Sequence, residues 1–171
     1  MSKKIYAALV ALFVIFVAGG AAEAKQFPGF STIDLNEKVV TSDIFAENEV
    51  TMINFWATWC PPCVAEMPDL GELAETLKDS DENCGLIGIL LDANENGAIK
   101  KAGQILDKAN ARFTQLRPSE EMYGLLGSIS AIPTSIFVDS RGNIVGPTIV
   151  GARSKNDYLK AMAVALAEAR K

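Results

Sequence analysis

Cys60 and Cys63 lie three residues apart in the segment Trp56-Ala57-Thr58-Trp59-Cys60-Pro61-Pro62-Cys63. Two thiols at this spacing can exchange disulfides, share a metal ion, or close an inert staple. The flanking residues bear on that choice. Val50-Thr51-Met52-Ile53-Asn54-Phe55 is a mostly apolar run, as expected of a buried strand. Pro61 suits the first position of a helix, where the missing N–H of proline costs nothing. Cys60 is then expected at a helix N-terminus, where unpaired backbone N–H groups and the helix dipole stabilise an anion. A thiolate in such a place has its pKa lowered well below the free value of ~8.5. Cys63, one turn further on and more buried, is the expected resolving thiol of a mixed disulfide. A zinc site needs about four ligands. The chain holds no histidine and, besides this pair, only Cys84. Cys84 reads as a semi-buried free thiol, with a regulatory or intermolecular disulfide as the alternative.

The elements that would position these thiols can be read along the chain. Phe30 to Ser42 reads as a hairpin turning at Asn36-Glu37. Ser42-Asp43 is expected to cap a short helical turn. After the buried strand ending at Trp56, a helix starts at Pro61. Its apolar face is Val64, Met67, Leu70, Leu73 and Leu77, and Pro68 is expected to kink it. Gly85–Leu91 is the next buried strand and 96–109 a helix. Phe113–Leu116 follows as a short strand and Glu120–Leu126 as a short helix. Thr134–Asp139 and Ile144–Val150 form a strand pair around the turn Ser140-Arg141-Gly142-Asn143. Asp157–Arg170 closes the chain as an Ala-rich helix capped by Ser154. Strand–helix–strand units followed by a hairpin and a last helix imply an α/β fold, a mixed sheet with helices on both faces.

The chain has 171 residues, of which 49% are apolar and 22% charged, enough for one ordinary domain with a core. The net charge of −5 argues against nucleic acid as a partner. Lys3 and Lys4 precede an uncharged stretch, Ile5–Ala22, and then Ala22-Glu23-Ala24, a small-x-small cleavage pattern. Residues 1–24 are therefore expected to be a cleaved signal peptide, with an uncleaved membrane anchor as the alternative. Residues 25–29 read as a linker and 30–171 as the folded domain. Either fate of the N-terminus puts the domain in an extracytoplasmic, disulfide-permissive compartment, periplasmic or at the outer face of the cytoplasmic membrane.

Several segments together resemble the thioredoxin fold: the octapeptide around the cysteines, Pro68, Ile132-Pro133-Thr134 before a strand, and Val150-Gly151 before the last helix. The N-terminal hairpin, the export signal and Glu66 narrow the resemblance to exported thioredoxin-like oxidoreductases of the TlpA/ResA type. It covers roughly 27–171. It implies a central mixed sheet flanked by helices with an N-terminal β-hairpin extension. It implies a redox-active Cys60–Cys63 disulfide with no other cofactor. It also implies reduction of disulfides in exported proteins, apocytochrome c among them, with electrons from a membrane-bound thiol donor.

By position alone, Glu66 is a carboxylate sharing a helix face with Cys63. The resemblance makes it the group that assists deprotonation of the buried cysteine. Ordinary thioredoxins have an aspartate at the strand position held here by Asn54, so that proton acceptor is absent. The resemblance also implies a cis Ile132–Pro133 bond beside the disulfide, although cis is only ~5–6% of X–Pro bonds. That bond would expose the Ile132 backbone for strand-like pairing with a substrate chain. Trp59, Pro61, Pro62, Ile132 and Pro133 are thus the expected substrate-facing surface, with Trp59 half exposed and Trp56 in the core. Two other classes stand beside this one. A thiol peroxidase of the same fold would need Pro and Thr at positions 53 and 57, which hold Ile53 and Ala57. A non-catalytic binding module or chaperone would usually have lost a cysteine, and both are present.

Overall fold

The computed structural model describes residues 25–171. The segment expected to be a signal or anchor lies outside the described residues. Five strands form the central sheet in the order β5-β4-β3-β6-β7: β3 (Val50–Trp56), β4 (Cys84–Leu90), β5 (Thr114–Leu116), β6 (Thr134–Asp139) and β7 (Ile144–Val150). β3 runs parallel to β4 and β4 to β5, while β6 is antiparallel to both β3 and β7. β3 lies at the centre and every one of its residues is buried. A two-stranded antiparallel hairpin, β1 (Ser31–Ile33) and β2 (Val39–Thr41), precedes the sheet. This is a thioredoxin-like fold.

Alternation along β3 sorts its side chains between two cores. Val50, Met52 and Trp56 face the helices α1 (Pro61–Lys78) and α4 (Lys155–Ala169), packing with Leu70, Leu73, Tyr158 and Met162. Ile53 and Phe55 face the opposite side, where Phe27, Phe30, Phe45 and Met122 close over the sheet. Phe27, Phe30 and Phe45 meet edge to face with ring centroids 5.4–5.9 Å apart. Asn54 shares the face of Met52 and Trp56, so its amide enters the α1/α4 core. α2 (Ala98–Lys108) packs beside α1, and α3 (Tyr123–Leu126) completes the order.

Gly71 explains how closely α1 meets the end of α2. A Cβ there would stand 2.9 Å from the Asn110 carbonyl oxygen and 3.0 Å from that of Ala109. Any larger residue would push the two helices apart.

Several expected boundaries shift, each for a local reason. β1 ends at Ile33 because Asp34 turns the chain, its Oδ1 accepting from the Asn36 and Lys38 N–H groups, both at 2.8 Å. The helical turn Ser42–Glu47 is 3-10 and is capped by Thr41, not Ser42. The segment 120–126 splits into a 3-10 turn and α3. α1 continues through Pro68 to Lys78. The expected linker 25–29 is corrected. Ile144 N–H donates to the Lys25 carbonyl at 2.8 Å and Phe27 N–H to that of Gly142 at 2.9 Å. Phe27 is buried in the second core, so packed structure begins before Phe30. Among the described residues no helix is long and apolar enough to cross a membrane.

Candidate active site

The two cysteines form a disulfide, with S–S 2.06 Å and Cα–Cα 5.3 Å. Cys60 caps α1 with extended backbone angles, and its Sγ accepts the Cys63 N–H at 3.3 Å. The donor that would meet a Cys60 thiolate is therefore already in position. Cys63 is fully buried, and Cys60 retains only a sliver of accessible surface, 3%. Around this sliver Trp59, Pro61 and Pro62 are exposed, Trp59 at 60%. Trp56 is wholly buried, its indole N–H donating to Gln115 Oε1 at 2.9 Å.

The loop before β6 forms the second wall. The Ile132–Pro133 bond is cis. The Ile132 carbonyl oxygen lies 3.7 Å from Cys60 Sγ. In the disulfide this is a contact without a proton; a Cys60 thiol could donate there. Pro133 is buried, and its carbonyl accepts the Gly151 N–H at 2.8 Å, tying this wall to the end of β7. Gly151 has φ +86°, a left-handed conformation that glycine adopts without a Cβ penalty.

A buried carboxyl follows the disulfide on α1. Glu66 is 3% exposed and stands one turn after Cys63 on α1. Its Oε1 accepts from Asn54 Nδ2 at 3.0 Å, and its Oε2 from the Tyr158 hydroxyl at 2.7 Å and the Arg153 N–H at 3.2 Å. Burial raises its pKa above the ordinary value. The bonds from Tyr158, Asn54 and Arg153 pull it down, and the charge of Asp69 adds to the rise. Asn54 Nδ2 also donates to Ser135 Oγ at 3.1 Å.

Sequence reasoning missed three contributors. Tyr158 is 92 positions from Glu66 and reads only as part of an apolar helix face. Ser135 reads only as a strand residue. The pair Thr58–Asp92 is equally silent in sequence. The Asp92 carboxylate accepts the Thr58 N–H at 3.1 and 3.2 Å and its hydroxyl at 2.6 Å, pinning the turn before Cys60 to the end of β4.

Cys84, far along β4 from Trp56, is a buried free thiol. Burial, then the charges of Glu82 and Glu49, push its pKa up to about 11, so it stays protonated and unreactive at neutral pH. Among the described residues no cluster of acidic, cysteine or histidine side chains could hold a metal ion.

The profile of the AhpC/TSA family matches residues 24–146. The thiol-disulfide oxidoreductase ResA of Bacillus anthracis is 30% identical over 141 residues, spanning 80% of this chain and 76% of that protein. The thiol:disulfide interchange protein DsbE of Haemophilus influenzae is 30% identical over 125 residues, 72% of this chain and 64% of that one. The crystal structure of a thioredoxin-family thiol:disulfide interchange protein from Chlorobium tepidum superposes with a TM-score of 0.70. It is 28% identical and covers 85% of this chain and 98% of that one.

Proposed function

The chain belongs to the AhpC/TSA family, and from that premise we propose that it reduces disulfides of exported proteins through the Cys60–Cys63 pair. Its class is thiol–disulfide oxidoreductase of the ResA/DsbE type. The direction of electron flow, the substrate and the roles of individual residues are our reading. The observation that carries it is the placement of Cys60: the cap of α1, an N–H already on its sulfur, and a rim of exposed apolar residues.

In the reduced protein the Cys60 thiolate attacks a substrate disulfide, forming a mixed disulfide and releasing one substrate thiolate. Cys63 loses its proton to Glu66 and attacks Cys60 Sγ. The second substrate sulfur leaves as a thiolate, and two electrons have passed to the substrate. The Cys60–Cys63 disulfide is then restored to the dithiol by a thiol donor, for which we propose a membrane-bound partner. The pair itself holds the electrons, so no other cofactor enters. The substrate strand lies against Trp59, Pro61 and Pro62 and pairs with the backbone at Ile132, beside Pro133. The basic start and uncharged stretch of residues 3–22 support an extracytoplasmic site of action, by a cleaved signal or an anchor. Apocytochrome c fits as a substrate, since its haem-binding cysteines must be reduced.

Insulin reduction by dithiothreitol tests the activity. The wild type should accelerate it, and Cys60→Ala should return the rate to that of dithiothreitol alone. Equal rates for the two proteins would contradict the proposal.

A further inference from the structure

Three donors from three parts of the fold converge on Glu66. Asn54 comes from β3, Tyr158 from α4, and the Arg153 N–H from the loop between β7 and α4. Tyr158 makes the shortest of these contacts and is fully buried. We propose that Tyr158 is a positioning residue of the redox site: its hydroxyl fixes the Glu66 carboxyl under Cys63 and sets the pH at which that carboxyl gains or gives up its proton. This rests on the reading of Glu66 as the proton partner of Cys63.

The hydrogen-bond geometry of the two protonation states supports it. With Glu66 ionised, each carboxylate oxygen is an acceptor and every neighbour donates. Asn54 Oδ1 is then left without a partner, although the residue is fully buried. Such a vacant acceptor costs free energy in this state. With Glu66 protonated, its O–H needs an acceptor; a turned Asn54 amide presents Oδ1 to it and to the Ser135 hydroxyl, and leaves Nδ2 in the place that Oδ1 vacated. Tyr158 donates to Oε2 in both states and needs no change. It holds one carboxyl oxygen still while the other exchanges its proton beside Asn54.

The surroundings leave Tyr158 this task. Asp69, on the same helix, is the charged side chain whose field acts on Glu66, and it opposes ionisation. Arg153 reaches the carboxylate through its backbone, while its guanidinium donates to the Ala152 carbonyl at 2.8 Å. From β6 the facing group is the uncharged Ser135, bonded to Asn54. On α1, Cys63 stands one turn before Glu66. Tyr158 itself is pushed far above its ordinary pKa by burial and then by the charge of Glu66, so it remains a donor across the working range.

Carboxyl carbon NMR of the oxidised protein reads the proposal directly. The Glu66 midpoint should rise by about one pH unit or more in Tyr158→Phe, which keeps the ring and removes one bond to a charged group. A midpoint within about 0.3 units of wild type would overturn the proposal. In the wild type, the Tyr158 Cζ signal should titrate with the Glu66 midpoint; a flat signal would overturn it equally. In the reduced protein, Tyr158→Phe should move the pH profile of thiol alkylation but add nothing in a Glu66→Gln background. An added shift there would mean that Tyr158 acts by another route. If Glu66→Gln alone left the alkylation profile unchanged, the reading of Glu66 would fall, while the carboxyl titration would still decide the role of Tyr158.

Discussion

Burial and hydrogen bonding pull the Glu66 carboxyl in opposite directions, and burial prevails, so its pKa lies above the ordinary 4.5. The folded protein therefore binds more protons than the unfolded chain between the ordinary and the raised value. Across that window stability falls as pH rises. Below the window the penalty is absent, and above it the penalty is fully present. Urea denaturation of the oxidised protein from acid to neutral pH should show this loss in the wild type and a shallower slope in Glu66→Gln. Parallel slopes would mean that Glu66 is not held at a raised pKa. Above that window the site keeps a buried carboxylate that costs stability, as our proposal that Glu66 exchanges a proton with Cys63 requires.

The turn between β3 and α1 positions Cys60, and it is bolted from outside. Thr58 and Asp92 are both buried, and their three bonds connect the turn to the chain just beyond β4. Asp92→Ala leaves the Thr58 N–H and hydroxyl unpaired, at about 1–3 kcal/mol for each buried group. The denaturation midpoint should drop, and insulin reduction should slow as Cys60 loses its fixed place; Asp92→Asn, which keeps an acceptor, should lose less. An unchanged midpoint in Asp92→Ala would contradict this. Neither partner stands out in the sequence. The strands β3, β6 and β7, the start of α1 at Pro61 and the Ser154 cap were legible because apolar runs, proline and capping residues act locally. The cysteine pair, Glu66 and Pro133 were legible because they sit in motifs of fixed spacing. Tyr158, Ser135 and Asp92 were not, because their roles depend on pairings between distant segments. The segment 25–29 looked like a linker because its docking depends on Phe27 finding Phe30 and Phe45 across a surface that only the folded sheet provides.

At the scale of the molecule, the sheet order brings the site together. β3 leads through a short turn to Cys60, and β6, its antiparallel neighbour, begins at Thr134, just after Pro133. α1 and its cap carry both cysteines and Glu66, and α4 supplies Tyr158 from the same face of the sheet. One end of the sheet thus brings together Cys60, Cys63, Glu66 and the Ile132–Pro133 loop, while Cys84 sits at the other end of β4, paired with Val50. We propose that this arrangement delivers electrons to exported proteins. Equilibration of the Cys60–Cys63 pair with glutathione or a thioredoxin couple of known potential tests it most directly. The pair should show a reduction potential of about −250 mV or lower, in the range of reducing dithiols. A value near about −120 mV, that of a strong oxidant, would contradict it.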